Sequence, residues 1–455
     1  NPNHVSILEN LAHIQREHGM LDDALGNLRR VLSLEPNRAS AVHGLMIAMS
    51  YHPDFSPEAI FAEHRRWEKL QAFPTAELPA PDNPADPDRT LRVGYVSSDF
   101  RTHSGAYFIA PLLANHDRSR IEIFCYSDVP EQKRDDITQY FKGLDVHWRD
   151  SFGKSDLEVT REIRRDKIDI LVDLAGHTAK NRLGVFARRA APVQVTYLGY
   201  PNTTGLSTMD YRLTDEIADP PGQEAYHTEE LVRLPHGFLC YSPIRETPDV
   251  ANLPALERGF VTFGAFNAPA KSTSQVIALW ARILDSVPSS RILLKNHSVR
   301  HSQARERYHA QFEEHGIPRN RVELVGWVPR EEHLRSYGRV DIALDTFPYN
   351  GTTTTLEALW MGVPVLTLTG TRHADRVGSS ILFHAGLGDW VATDKGGYVA
   401  RAVQLASDLA HLGLLRATLR DRLISSTLCD GKRFTGMLEE TYRALWHGWC
   451  ATRSC

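Results

Sequence analysis

Apolar residues fall along this 455-residue chain in two different rhythms. Up to residue 73 they recur every three to four positions: Leu8, Leu11 and Ala12, then Ala24 and Leu28, then Ala41, Leu45 and Ala48, then Ile60, Phe61, Trp67 and Leu70. That spacing predicts amphipathic helices. From Leu91 onward, short apolar runs alternate with amphipathic segments such as residues 157–165. Runs at 91–96, 121–126, 146–148, 168–172 and 193–198 predict five strands, and runs at 261–266, 291–294, 322–325, 341–344 and 365–368 predict five more. Short apolar runs separated by helical patterns point to buried strands in a doubly wound α/β arrangement. The tail, residues 405–449, is helical again, with Trp446 and Trp449 near its end.

The helical start carries a repeat. Residues 5–38 match one 34-residue tetratricopeptide unit, with Leu8, Leu11, Ala12, Gly19, Ala24, Leu28 and Pro36 on the pattern positions. Ala12 and Ala24 are small where two helices cross, Gly19 turns the chain, and Pro36 ends the second helix. Residues 39–73 are expected to continue as a degenerate helical pair. A single repeat cannot bury its own face, so either further repeats precede it or it packs on the next domain. The chain opens on Asn1 rather than Met, so upstream sequence is expected to be missing.

The predicted organisation is a helical region over 1–73, a linker over 74–89 and an α/β half over 90–242. A connector over 243–258, a second α/β half over 259–430 and a final helix over 431–455 follow. Five prolines among acidic residues make the linker extended (Pro74, Pro79, Pro81, Pro84, Pro87), and Pro243, Pro248 and Pro254 mark the connector. Two such halves, facing one another, are expected to form a cleft at the carboxyl ends of their strands.

Charge and composition narrow the partners. A formal net charge of -4 and the lack of any Lys/Arg block argue against nucleic-acid binding. No apolar run reaches membrane-spanning length, and no signal peptide opens the chain. The five cysteines are scattered and form no CxxC pair, which fits a reducing, cytoplasmic setting without structural zinc.

Candidate chemistry concentrates at residues 341–364. An apolar run ends in Asp345, a turn with Pro348, Asn350 and Gly351 follows, and Thr352, Thr353, Thr354 and Thr355 open a helix that Gly362 and Pro364 stop. Such a junction directs unpaired backbone N–H groups and hydroxyls at one spot, with the positive end of the helix dipole behind them. It suits a phosphate; the plainer alternative is that Thr352 merely caps the helix. His103 and His177 sit in loops after predicted strands, where an imidazole can exchange protons near neutral pH. Two histidines without a third ligand at recognisable spacing do not make a metal site, and none is expected. Leu198 and Gly199 lie in a glycine-containing turn where backbone could approach a ligand. Asn267 and Lys271 follow the strand at 261–266, and Lys271 could neutralise a diphosphate. Arg330 and His333 open a helix after the strand at 322–325, where they could contact a base or simply serve the helix start.

Taken together these motifs resemble the O-linked N-acetylglucosamine transferases, glycosyltransferase family 41. The resemblance rests on Tyr95-Val96-Ser97-Ser98-Asp99-Phe100 with His103, Leu198-Gly199-Tyr200-Pro201, Met209-Asp210-Tyr211, Phe266-Asn267 with Lys271, Glu331-Glu332-His333, and Leu344-Asp345-Thr346 followed by Asn350-Gly351 and the threonines. It implies a GT-B fold, two facing Rossmann-like domains preceded by a tetratricopeptide-like region. It also implies an inverting transfer of N-acetylglucosamine from UDP-N-acetylglucosamine, a co-substrate rather than a cofactor, to Ser/Thr hydroxyls of a protein acceptor held by the repeats.

By the same resemblance, Thr353 and Thr354 match the diphosphate-binding pair and Lys271 the essential lysine. His333 matches a residue stacking on uracil, Arg330 a uracil contact, Glu357 a ribose contact, and Leu198 and Gly199 positions near the sugar. His103 matches the active-site histidine and is the first choice for proton handling, with His177 second. Three positions depart from the animal pattern: Thr352 stands for a His, Tyr349 for a Cys beside the sugar, and Ala268 for a Gln. The long insert of animal members is absent, and the pattern looks bacterial. The alternatives are a UDP-glucose-dependent protein glucosyltransferase of the same fold, and a non-catalytic adaptor that binds UDP-sugar.

Overall fold

The computed structural model describes residues 4–71 and 78–453. Residues 72–77, with part of the expected linker, and Cys455 lie outside the described residues. The chain divides into two compact units: Asn1–Ile60 with Arg245–Ser426, and Phe61–Ile244 with Thr427–Cys455.

The second of these units is built on a seven-stranded sheet. Its strands are β1 (Leu91–Ser97), β2 (Ile121–Ser127), β3 (His147–Asp150), β4 (Ile170–Asp173), β5 (Val193–Thr196), β6 (Tyr211–Thr214) and β7 (Glu230–Arg233). All pairs are parallel, in the order β3-β2-β1-β4-β5-β6-β7. The other unit carries β8 (Thr262–Ala265), β9 (Arg291–Lys295), β10 (Val322–Val325), β11 (Ile342–Leu344), β12 (Val365–Leu368) and β13 (Val391–Ala392), all parallel in the order β10-β9-β8-β11-β12-β13. Each order is that of a Rossmann sheet, which reverses direction beside its first strand and offers a ligand crevice at that point. The reversal falls between β1 and β4 in one unit and between β8 and β11 in the other. The inner strands of both sheets are almost wholly buried, as parallel strands covered on two faces must be, while the edge strands β3 and β7 are partly exposed.

The expected strands at 322–325 and 365–368 form as drawn. The run at 193–198 stops at Thr196, because Leu198 turns into the left-handed region at φ 73°. β6, β7 and β13 were not anticipated: they are short, and Glu230 and Arg233 give β7 no apolar run.

The helical start forms Val5–Glu17 and Leu21–Leu34, with Gly19 at φ 78° between them. The helical pair expected after residue 39 is found as two helices, Ala39–Tyr51 and Pro57–Gln71, broken around Pro53 and Asp54. Leu8, Ala12, Ala24, Leu28, Ala41, Leu45, Ala48 and Ile60 form one buried cluster. Small alanines there let helix axes approach, as the repeat spacing requires. In the unit of β1–β7, the final helix Gly431–Ala451 packs on Ala106–Asn115, and Glu439 accepts from the buried His116 ring at 2.8 Å. Arg443 and Trp446 donate to the linker carbonyls of Pro87, Arg89 and Asp86, so this end of the linker is docked.

Candidate functional site

The loop after β11 is organised by a carboxylate that the sequence marked only as a strand end. Asp345 is buried; its Oδ1 accepts the N–H groups of Thr346 at 2.8 Å and Gly351 at 2.6 Å, and its Oδ2 accepts the Thr367 hydroxyl at 2.8 Å. Burial pushes its pKa up to about 6, although the three donors and Lys271 pull the other way. Asn350 closes the loop, donating to the Thr346 carbonyl and accepting from Gly378 N–H. Gly351 is required by close approach: a Cβ there would collide with Thr354 Oγ1 and come within 2.9 Å of Thr355 Oγ1 and 3.0 Å of Asn267 Nδ2.

The helix Thr353–Trp360 starts from this frame. Thr352 stands at the N-cap position, yet its side chain makes no capping bond. Thr355 is buried and donates back to the Gly351 carbonyl at 3.1 Å, whereas Thr352, Thr353 and Thr354 stay half-exposed at the helix start. Asn267, just past β8, donates to Thr354 Oγ1 at 3.3 Å. Lys271 Nζ donates to the Asn350 carbonyl at 2.7 Å and lies 4.3 Å from the centre of the Tyr349 ring. Burial lowers the Lys271 pKa to about 8, opposed by the nearby Asp345 charge. An ammonium, two hydroxyls, an amide and the positive end of a helix thus meet at the switch point of one Rossmann sheet, an arrangement suited to a diphosphate.

Beside it is a polar relay on an aromatic floor. Lys295, the last residue of β9, lies 2.7 Å from His333 Nδ1; His333 Nε2 lies 3.0 Å from Glu357 Oε2, and Arg330 donates to Glu357 Oε1 at 3.1 Å. Burial alone would raise the Glu357 pKa, but His333 and Arg330 outweigh it and hold the carboxyl below its usual range. Phe266 lies 4.5 Å from the Tyr337 ring and 5.8 Å from that of His333, and the Tyr337 hydroxyl reaches the Thr354 carbonyl at 3.2 Å. One unit therefore carries Asn267, Lys271, Arg330, His333, Tyr349, Thr352, Thr353, Thr354 and Glu357, on the segments that follow β8, β10 and β11. Lys295 and Tyr337 belong with them without having been anticipated, and Asp345 and Phe266, quoted among the motifs, without having been given a role. Their only sequence signal is position: each ends or directly follows a strand, or lies in the helix-turn after His333.

His103, Leu198, Gly199 and His177 lie in the other unit. His103 is 39% exposed, in the loop after β1. Gly105 N–H donates to its Nδ1 at 3.1 Å, so the neutral ring carries its proton on Nε2. Burial lowers its pKa, Asp99 opposes that and Arg101 adds to it. Leu198 and Gly199 form the turn after β5; a Cβ on Gly199 would collide with the Leu174 carbonyl. His177 follows β4 but is only 1% exposed. Its Nε2 lies 2.7 Å from the Thr204 carbonyl, which can only accept, and its ring packs against Trp67 at 4.5 Å and Tyr200 at 5.3 Å. This is the setting of a packing histidine rather than one that exchanges protons. Among the described residues no group of three or more His, Cys, Asp or Glu side chains could hold a metal ion, and no helix is long and apolar enough to cross a membrane.

Fold and site together define a two-Rossmann protein whose C-terminal half has a polar crevice of a kind suited to a phosphate. The profile of "Glycosyl transferase family 41" matches residues 31–243 and 251–438, and the chain belongs to that family. It is 45% identical over 424 residues to "Probable UDP-N-acetylglucosamine--peptide N-acetylglucosaminyltransferase SPINDLY" of Petunia hybrida, covering 92% of this chain and 45% of that protein. It is 31% identical to the protein of Arabidopsis thaliana that carries the same activity name with SEC, over 80% of this chain and 38% of that protein. A Thermobaculum terrenum O-GlcNAc transferase mutant superposes with a TM-score of 0.94 at 38% identity, covering all of this chain and 86% of that one. The chain thus spans about half the length, or less, of the curated relatives it matches.

Proposed function

We propose that this protein is a UDP-sugar-dependent protein O-glycosyltransferase that moves N-acetylglucosamine to Ser or Thr hydroxyls. The observation that carries this reading is the convergence of Lys271, Asn267 and the Thr353–Thr354 helix start beside the His333–Glu357 pair. The names of the relatives support both the donor and a peptide acceptor.

In this reading the uracil and ribose lie on the Phe266, His333 and Glu357 side, with Arg330 at the edge. The diphosphate takes the threonine hydroxyls and the Lys271 ammonium. Transfer is an inverting displacement: the acceptor oxygen bonds to the anomeric carbon as the bond to the β-phosphate oxygen breaks. The electron pair leaves with UDP, and the hydroxyl proton passes to a base or solvent. Negative charge grows on the diphosphate, so a preorganised cation and helix dipole there lower the barrier most. His103, neutral near pH 7 with its proton on Nε2, serves better as a donor orienting the oxygens than as the first proton acceptor. No metal is needed for charge that Lys271 and the helix can balance.

One observation favours a variant. Tyr349 places an aromatic ring near the position that the resemblance puts beside the sugar, and a smaller hexose such as glucose would leave it more room. Calorimetry with UDP, GDP and ADP, then a panel of nucleotide sugars read by intact mass of acceptor peptides, tests the proposal. Preferential UDP binding and a gain of one N-acetylhexosamine support it; a gain of one hexose supports the variant. UDP binding with no gain of mass on any acceptor would leave the adaptor, and failure to bind any nucleotide would overturn both readings.

A further inference from the structure

Tyr51, the last residue of the helix Ala39–Tyr51, belongs to the tetratricopeptide-like region and lies far in sequence from the phosphate loop. Its ring stacks on that of Tyr349, with centroids 4.5 Å apart and planes 20° apart. The Tyr349 ring also receives the Lys271 ammonium, at 4.3 Å. A ring already covered at stacking distance on one face offers the other to a cation, so the three groups form a column. The backbone beneath is held from the same side. Arg372 donates to the Pro348 carbonyl at 3.3 Å and towards the His52 carbonyl at 3.5 Å. The turn at Gly19 also lies against the Pro269 carbonyl, in the short helical turn Pro269–Lys271.

We propose that Tyr51 is a positioning residue for Lys271: by stacking on Tyr349 it fixes the aromatic face that holds the ammonium toward the diphosphate site. The proposal rests on the function given above for Lys271, but not on the identity of the sugar. The physical logic is that of a cation–π contact in a desolvated setting. A ring free to rotate presents its face only part of the time; a ring stacked on a second one presents it always. The charged groups around the column are Asp345, which favours the Lys271 cation, and Arg16 and Glu17 near Tyr51. Lys271 already titrates low because it is buried. Loss of the aromatic face removes support from the cation and moves its titration further toward acid.

The test compares Tyr51→Leu, Tyr51→Phe and Tyr349→Leu in the full chain, with two readouts. In steady-state transfer, Tyr51→Leu is expected to lower kcat about tenfold with KM for the donor changed less than about twofold, the size a cation–π contact supports. Tyr51→Phe keeps the stack while removing the hydroxyl that bonds to Tyr349, and should return kcat to near the parent value. The second readout does not need transferase activity: lysines are reductively ¹³C-methylated and the Lys271 signal, identified by its loss in Lys271→Arg, is titrated by NMR. The expected result is a ring-current-shifted signal that moves toward its unshifted position and titrates at lower pH in Tyr51→Leu and in Tyr349→Leu. A Lys271 signal unchanged in shift and midpoint in a folded Tyr51→Leu overturns the proposal, even if transfer is confirmed. A changed signal with no transfer by the parent protein would instead sink the functional reading and leave the column standing. Should Tyr51→Leu fail to fold, Tyr51→Ile and Tyr51→Met take its place.

Discussion

Lys295 Nζ lies 2.7 Å from His333 Nδ1, and that contact fixes how His333 meets Glu357. An ammonium can only donate, so Nδ1 accepts and the ring proton lies on Nε2, facing the carboxylate. Lys295 lies at the end of β9, within the reach of the Glu357 charge, and its contact with Nδ1 sets the hydrogen-bond direction of the His333 ring. Lys295→Met is therefore expected to weaken UDP binding about tenfold, the cost of one charged hydrogen bond. Calorimetry with UDP reads this directly. An unchanged affinity would show that His333 keeps its orientation unaided.

Lys271 gives two outcomes. Lys271→Ala should lower kcat on the order of 100- to 1000-fold, as for removal of a preorganised group facing developing charge. In the parent protein only the ammonium form serves, and the lysine titrates at about 8 in the free protein. kcat/KM, which reports free-enzyme groups, should fall as pH rises through about 8. A flat profile to pH 9.5 would remove the electrostatic role.

Asp345 makes folding depend on pH in the less usual direction. Its folded pKa, about 6, lies above its ordinary value of 3.8, so the folded state holds the proton more tightly than the unfolded chain. The contribution is present in full below about pH 4 and is lost as pH rises through about 6, a swing on the order of 3 kcal/mol. Asp345→Asn keeps an oxygen for the Thr346 and Gly351 N–H groups and an amide for Thr367, and cannot ionise. Urea denaturation at pH 4, 5 and 7 should show the Asn variant gaining on the parent as pH rises. The same variant removes the charge that supports the Lys271 cation, so the basic limb of its kcat/KM profile should move to lower pH.

The His103 tautomer separates two roles by substitution. Gln places an N–H near the position of Nε2 but cannot take up a proton, whereas Ala supplies nothing. If His103 acts as a donor, His103→Gln retains most of the activity that His103→Ala loses. If it acts as a base, both fall by a similar factor, roughly 100- to 10,000-fold. The kcat of the two variants side by side distinguishes these outcomes.

Ten of the thirteen strands among the described residues, and the helix start at the threonines, were readable because their signals are local. Four threonines after Asn350-Gly351 mark a helix start whatever surrounds them, and apolar runs of four to six residues mark buried strands. What stayed hidden depends on tertiary pairing. A lysine ending β9 is ordinary until His333 meets it, and a tyrosine ending a repeat helix is ordinary until Tyr349 stacks on it. His177 shows the converse. Its place after a strand looked functional, but the residues that bury it, Trp67 and Tyr200, come from elsewhere in the chain.

Gly351 divides its loop into parts with different tolerance for change. Any side chain there would strike Thr354, Thr355 and Asn267 together, so the backbone path past Asp345 is fixed. The neighbour Thr352 is half-exposed and its side chain makes no capping bond, whereas Tyr349 carries the Tyr51 stack and the Lys271 contact. For anyone wishing to redirect the donor, the loop offers one replaceable fingertip on a hand that cannot be reshaped. A library restricted to position 352 should change sugar preference while leaving the fold and the grip on the nucleotide intact.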